Sequence, residues 1–172
     1  MEQPLKQVFV GVGANLGDRL GTIDAAIADL SSDRGIWNIE RSPLFETEPV
    51  GGIAQPTFIN LVIGLETSHR PETLLEVLHA TEKKLGRNRA LEQRWGPRAI
   101  DLDILLFEGV SRTGGPLELP HPRMWDRGFV TIPLAELIRS SARYDSGRWP
   151  GLADRLSPTK AAGGVRPYVT AG

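Results

Sequence analysis

The sequence has no cysteine among its 172 residues. A disulfide scaffold, a thiolate zinc site, an iron-sulfur centre and a cysteine nucleophile are therefore excluded. Neither sign of charge is in excess: 20 Lys and Arg face 21 Asp and Glu, a formal net charge of −1. That balance argues against an extended nucleic acid held on a uniformly basic surface. No apolar run reaches the roughly 18 residues needed to cross a membrane. No basic leader followed by a long apolar segment opens the chain, so the expectation is a soluble, cytoplasmic protein without a signal peptide. Internal repeats are also missing. With 40% hydrophobic residues, a chain of this size buries roughly 70% of its unfolded surface, enough for one core. One globular domain over residues 1–156 is expected. Residues 157–172 hold little apolar material and read as a poorly ordered tail.

The apolar pattern divides the chain into short strands and two or three helices. Val8, Val10 and Val12 alternate with Phe9 and Gly11, a period of two that predicts a strand ending in Gly13-Ala14-Asn15-Leu16-Gly17. Asp18 is a plausible N-cap, and Leu20, Ile23, Ile27 and Leu30 share one helical face. Residues 37–47 read as a strand interrupted near Ser42-Pro43, and the Gly- and Pro-rich stretch 48–56 as a loop. Residues 58–67 alternate again, with Ile59, Leu61, Ile63 and Leu65 on one face and Phe58, Asn60, Val62 and Gly64 on the other. Pro71 suits a first helical turn, Leu74, Leu78 and Leu85 form a stripe, and Gly86 stops it. Residues 87–97 are polar and irregular, and 99–107 are the most strand-like run of the chain. A helix is expected over 127–138, with Pro133 in its first turn or kinking it. Trp149, Leu152 and Leu156 suggest a short apolar helical face. The fold class is therefore α+β, with helices packed on one face of a mostly antiparallel sheet.

Four constellations carry candidate chemistry. Asp101 and Asp103 stand two apart on a strand, so their carboxylates share a face about 6.6 Å apart along the chain, away from Ile100, Leu102 and Ile104. Two like charges that close favour a hard divalent cation such as magnesium, although most acid pairs on strands are simply solvated. Just before them, residues 83–98 carry Lys83, Lys84, Arg87, Arg89, Arg94 and Arg98 against Glu92, a local charge of +5. A charge run alone is usually a solvated loop. Beside an acidic strand, however, it places phosphate ligands next to metal ligands. Phe58 and Asn60 offer an aromatic surface and an amide on one face, which suits a flat heterocycle with mixed donors and acceptors. His121, Arg123 and Arg127 surround a Pro-His-Pro loop that could contribute to phosphate binding, and His69 and His79 lack the spacing for a zinc site with it. The glycines at 11, 13 and 17 miss the dinucleotide fingerprint by one residue, and no Gly-Lys-Ser/Thr supports a Walker loop. They read as a tight strand-to-helix turn.

These segments together resemble the 6-hydroxymethyl-7,8-dihydropterin pyrophosphokinase family of folate biosynthesis. The matching stretches are Val12-Gly13-Ala14-Asn15-Leu16-Gly17-Asp18, Phe58-Ile59-Asn60, Arg94-Trp95-Gly96-Pro97-Arg98 running on to Asp101-Leu102-Asp103, Leu119-Pro120-His121-Pro122-Arg123 and Arg127-Gly128-Phe129. The resemblance implies a ferredoxin-like fold, ATP and the hydroxymethylpterin as substrates, AMP as product and two magnesium ions. It further implies that Asp101 and Asp103 hold metal and that Arg87 and Arg98 are catalytic. Glu82, Arg89, Arg94, Trp95, His121 and Arg127 would lie near ATP. Thr47, Pro49, Val50, Phe58, Asn60, Trp95 and Phe129 would form the pterin pocket. The arginine-bearing stretch 87–96 is expected to close as a lid over ATP. Residues 88–93 are slightly longer than in some relatives, and Glu118 stands where a small hydroxyl residue often precedes Leu-Pro-His. Two other readings carry less weight. Arg127-Gly128-Phe129-Val130 matches part of an RNA-recognition signature but lacks its further aromatics and should open a helix. A catalytically silent pterin or nucleotide binder is disfavoured by intact Asp101, Asp103 and Arg98. No nucleic acid or membrane partner is expected, and a monomer is the default.

Overall fold

The computed structural model describes residues 3–144, 146–156 and 164–170. Strand β1 (Lys6–Ala14) runs into a turn in which Gly17 alone needs a left-handed backbone, at φ 59°. Helix α1 (Arg19–Ser31) starts where expected, its first turn capped by Asp18 Oδ1, which accepts the Gly21 N–H at 3.0 Å. The strand expected over 37–47 is two pieces, β2 (Ile36–Arg41) and β3 (Phe45–Thr47), separated at Pro43, which has no N–H for a ladder. Strand β4 (Phe58–Thr67) leads to α2 (Pro71–Lys84), with proline at its start. Strand β5 (Asp101–Phe107), α3 (Gly128–Ser140), the short α4 (Leu152–Arg155) and β6 (Val165–Pro167) complete the order. Pro133 sits inside α3, past its first turn, and withholds the N–H that the Phe129 carbonyl would otherwise accept.

The sheet order is β5-β1-β4-β3-β6, with β2 also on β4, and every pairing is antiparallel. Counting β2 and β3 as one broken strand, the first five strands and two helices form a βαββαβ unit of ferredoxin-like order. The fold is α+β, as the pattern predicts.

The helices do not all lie on one face, which corrects the expectation. On one side α1 and α2 bury Ile23, Leu30, Leu74 and Leu78 against Val8, Val10, Leu61, Ile63 and Leu102. On the other side α3 packs Val130, Leu134 and Leu137 over Phe9, Val62 and Leu105. The cause is visible in β4, where every residue after Phe58 is buried: a strand apolar on both faces requires a cover on each.

The tail also departs from expectation. Residues 157–163 and 171–172 lie outside the described residues, but 164–170 contain β6, which pairs with β3 in the register Glu46↔Arg166. Its ladder is made by the backbone, so a strand with exposed side chains leaves no apolar pattern to read.

Helix α3 covers only half of its face. Beyond its first residues, the alternating positions Gly11 and Gly13 on β1, Phe58 and Asn60 on β4, and Asp101 and Asp103 on β5 border a cavity instead of a helix. The covered half is tightly filled: a Cβ at Gly64 would come 2.8 Å from the ring of Tyr144, which is fully buried and donates its hydroxyl to the Asn38 carbonyl at 2.6 Å. Gly64→Ala therefore overpacks this side, and urea unfolding is expected to show a loss of about 1–3 kcal/mol.

Candidate active site

The floor of the cavity is one row across three strands. Gly13 of β1 is paired with Asn60 of β4 on one side and Asp101 of β5 on the other. Two inter-strand spacings separate Asn60 from Asp101, about 10 Å between their backbones. The reading of Gly11 and Gly13 as turn residues is corrected: both lie within β1. A Cβ at Gly13 would sit 2.6 Å from Asn60 Oδ1, and one at Gly11 3.4 Å from Leu105 Cδ2. These positions are bare so that neighbouring side chains can cross them.

The cavity has a volume of about 390 Å³. Phe58, Asn60, Thr47, Val50, Trp95 and Phe129 line it. Asn60 Nδ2 donates to Thr47 Oγ1 at 2.6 Å, which fixes the amide and leaves its Oδ1 over Gly13. Pro49 is not in the wall, although its neighbours Glu48 and Val50 are. Trp95 holds a left-handed backbone at φ 65°, a conformation that costs a bulky residue about 1–3 kcal/mol. It is held there by Gln55 Nε2, which donates to its carbonyl at 2.6 Å. The guanidinium groups of Arg94 and Arg123 lie 5.4 and 5.6 Å from its ring.

Asp101, Asp103, Arg94, Arg98, His121, Arg123 and Arg127 line the same cavity, and the Arg127 guanidinium stands 5.6 Å from the Phe129 ring. Asp103 accepts no hydrogen bond among the described residues. Burial, with Asp101 and Glu82 nearby, pushes its carboxyl up to about 7. Arg98 Nη1 donates to Asp101 Oδ2 at 2.9 Å, while its buried Nε, 3.9 Å from Glu92, makes no hydrogen bond. Arg94, Arg123 and Arg127 have no carboxylate partner among the described residues, so three cations face the cavity uncompensated by ion pairs. Burial and the neighbouring Arg127 lower the His121 pKa, so the imidazole is neutral near pH 7. Its Nδ1 accepts the Arg123 N–H at 3.2 Å, which places the proton on Nε2.

Glu82, Arg87 and Arg89 do not line the cavity. Arg87 has a side chain only 3% exposed and is held by three carboxylates: Glu92 through Nε at 2.6 Å, and Glu82 and Asp101 through Nη1 at 2.8 and 2.6 Å. Burial alone would lower its pKa, but these carboxylates outweigh it and raise the value. Glu82, with 1% side-chain exposure, also accepts the Leu102 N–H at 2.9 Å and an Arg89 hydrogen bond at 2.8 Å. The C-terminal end of α2 thus meets the start of β5 through a buried carboxylate. The basic run concealed this knot, because its acids come from three separate segments.

Asn15, Gln55 and Glu48 escaped sequence reasoning as site residues. Asn15 joins Arg98 through a backbone pair, Asn15 N–H to Arg98 carbonyl at 3.2 Å, and through Asn15 Oδ1, which accepts the Arg98 N–H at 2.8 Å. Its Nδ2 donates to Gln55 Oε1 and the Pro56 carbonyl at 2.9 and 3.0 Å. An asparagine beside a glycine turn gave no signal beyond local turn chemistry.

A family model described as 7,8-dihydro-6-hydroxymethylpterin-pyrophosphokinase (HPPK) matches residues 9–139. The chain belongs to the HPPK family. It is 42% identical over 131 residues to the 2-amino-4-hydroxy-6-hydroxymethyldihydropteridine pyrophosphokinase of Bacillus subtilis (strain 168), covering 76% of this chain and 77% of that one. Against the enzyme of the same name from Methylorubrum extorquens the identity is 38% over 133 residues, 77% and 83% of the two chains. A solved HPPK-DHPS structure in complex with substrates superimposes with a TM-score of 0.57 at 13% identity, over 89% of this chain and 43% of that one, a likeness of fold. As an HPPK family member the chain carries out pyrophosphoryl transfer in folate biosynthesis. None of its described helices is long and apolar enough to cross a membrane.

Two predictions follow from the charges of this HPPK site. Glu82→Gln leaves Arg87 buried with one carboxylate fewer, and denaturant unfolding should show a loss of about 3 kcal/mol or more. For Asp103 the folded value lies above the unfolded 3.8. The native state therefore holds a proton that the unfolded chain releases, and this contribution is lost as pH rises toward about 7. In metal-free buffer Asp103→Asn should melt above the parent chain at about pH 8, and the gap should close near about pH 4.

Proposed function

We propose that the cavity holds 6-hydroxymethyl-7,8-dihydropterin at the Asn60 end and ATP at the arginine end, and that the chain moves the pyrophosphoryl group of ATP onto the pterin hydroxymethyl oxygen, releasing AMP. The observation that carries this reading is the shared floor: an amide set for heterocycle recognition and two carboxylates stand on either side of Gly13, about 10 Å apart across two strand spacings.

The donor set suits magnesium. Asp101 and Asp103 offer hard oxygens, and Asp103 is a carboxylate without a hydrogen-bond partner among the described residues, whose charge its surroundings disfavour. Among the described residues no group of three or more His, Cys, Asp or Glu could hold a metal. Two carboxylates therefore require the remaining ligands from water and substrate phosphates, which is the usual mode for magnesium-nucleotides. We assign two such ions to Asp101 and Asp103; when bound, magnesium neutralises triphosphate charge and lowers the cost of deprotonating the alcohol.

The protein's own groups do the positioning. Phe58, Phe129 and Trp95 flank the flat ring, and the fixed Asn60 amide reads its polar edge. Arg94, Arg123 and Arg127 attract the polyphosphate, the His121 Nε2–H donates to a phosphate oxygen, and the Arg98 guanidinium meets charge as it develops on the transferred group. Arg87 and Arg89 act from behind, holding Asp101 and Glu82 in place; a catalytic part for Arg87 requires it to leave its three carboxylates. No side chain is required as general base, because in phosphoryl transfer positioning and electrostatics supply most of the rate. The stretch 87–96 closes over ATP, and the enzyme works as a cytoplasmic monomer with one domain, the expected 1–156 body joined by β6.

Incubation with ATP, magnesium and 6-hydroxymethyl-7,8-dihydropterin, followed by separation of nucleotides, tests the proposal. AMP is the expected product, and ADP or no turnover refutes it. Asn60→Ala should raise the KM for the pterin roughly tenfold or more while the KM for ATP changes little.

A further inference from the structure

Strand β6 lies beyond residue 139, where the family match ends, yet it pairs with β3, whose Thr47 lines the cavity. It pairs with β3 in the register Phe45↔Pro167, Glu46↔Arg166 and Thr47↔Val165. The pairing is extended at both ends: Glu48 N–H donates to the Gly164 carbonyl at 3.3 Å and Tyr168 N–H to the Leu44 carbonyl at 2.9 Å. Arg166 spans β3 like a fork, with Nη2 3.5 Å from Glu46 Oε2 and Nη1 3.1 Å from Glu48 Oε1. Those two glutamates flank Thr47.

The opposite side of β3 is held as well. Arg19 Nη1 donates to the Thr57 carbonyl and hydroxyl, each at 2.9 Å, and lies 3.4 Å from Glu46 Oε1. The Arg19 guanidinium also stands 5.8 Å from the Tyr168 ring, which packs against the core on the α1 and α2 side. Glu46 is held below the ordinary carboxylate range, first by the Thr57 hydroxyl and then by Arg19 and Arg166.

One hydrogen bond links this assembly to substrate recognition. Thr47, gripped between Glu46 and Glu48, accepts the Asn60 amide at 2.6 Å, and that bond decides which way Asn60 presents its oxygen above Gly13. We propose that β6 is a positioning element for the heterocycle end of the cavity, and that Arg166 fixes Thr47 and, through it, the Asn60 amide. The inference rests on the assignment of that end to the pterin. Arg166 and Glu48 are half exposed or more, at 51% and 60%, and ion pairs in water add little stability singly. The fork therefore sets geometry more than it holds the fold together, and its removal should show in substrate affinity before it shows in melting temperature.

The test uses the full chain with Arg166→Ala, and separately Tyr168→Pro, which removes the N–H bonded to Leu44. In Arg166→Ala the KM for the pterin should rise roughly two- to tenfold, the range that one hydrogen bond's net worth spans. Both kcat and the KM for ATP should stay within about twofold. Arg166→Lys, which keeps the charge without the fork, should recover only part of the loss. In the absence of any ligand, amide exchange at Thr47 and Glu48 should be faster in both variants. Unchanged exchange overturns the grip on β3. Faster exchange with an unchanged pterin KM, or a loss of active enzyme and melting temperature alone, overturns the link to recognition. A parent chain with no affinity for the pterin overturns the underlying assignment, and the ligand-free exchange tells that failure from the first.

Discussion

A side chain at position 13 would put its first carbon 2.6 Å from the Asn60 amide oxygen, and much of the site follows from its being absent. Gly13 is the middle of a row whose ends recognise and react: Asn60 on one neighbouring strand, Asp101 on the other. The row before it, at Gly11, stands opposite Val62 and Asp103. A helix could not cover this half of the sheet without closing the space, and α3 covers Phe9, Val62 and Leu105 but leaves it open. The two glycines weaken β1 slightly as a strand, since glycine loses the most backbone freedom on folding. Pairing on both sides, to β4 and β5, offsets that cost.

Charge is divided between a locked set and an open one. Arg87 is surrounded by Glu82, Glu92 and Asp101 and cannot easily give up any of them, because an unpaired buried guanidinium is costly. Arg94, Arg123 and Arg127 carry no such partners among the described residues and line the cavity. Arg98 stands between the sets, one nitrogen on Asp101 and another buried without a partner. Asp101 and Asp103 are divided the same way: the first is already bonded by two arginines, and the second is left to its desolvated surroundings. A near-neutral protein thus keeps strong local fields of both signs within one cleft, where low dielectric makes them count.

Much of this was legible in the residues. The alternation over 58–67 put Phe58 and Asn60 on the face away from Ile59 and Leu61, and the structure places them so. The Asp pair, the capped start of α1 and the break at Pro43 were readable from local chemistry alone. What was not readable required knowing what meets across space. Helix periodicity reports that α3 has an apolar side, not which sheet face it covers. The run of basic residues gave no hint that Glu82, Glu92 and Asp101 converge on one of them. Strand β6, with its mostly exposed side chains, joins the sheet through its backbone, which carries no apolar pattern.

Asn15 has one further consequence. Its backbone N–H and its side-chain oxygen clasp the backbone of Arg98, while its amide nitrogen ties the Gln55-Pro56 segment to the same point. Arg98 is thus located from the end of β1, not by the stretch that leads into it. Insertions or deletions upstream of Trp95 lengthen or shorten a span between two joints, Arg87 at one and Asn15 at the other, and loop closure varies only slowly with length. Drift in loop size across descendants of this chain would be absorbed there, and the arginine that meets Asp101 would keep its station.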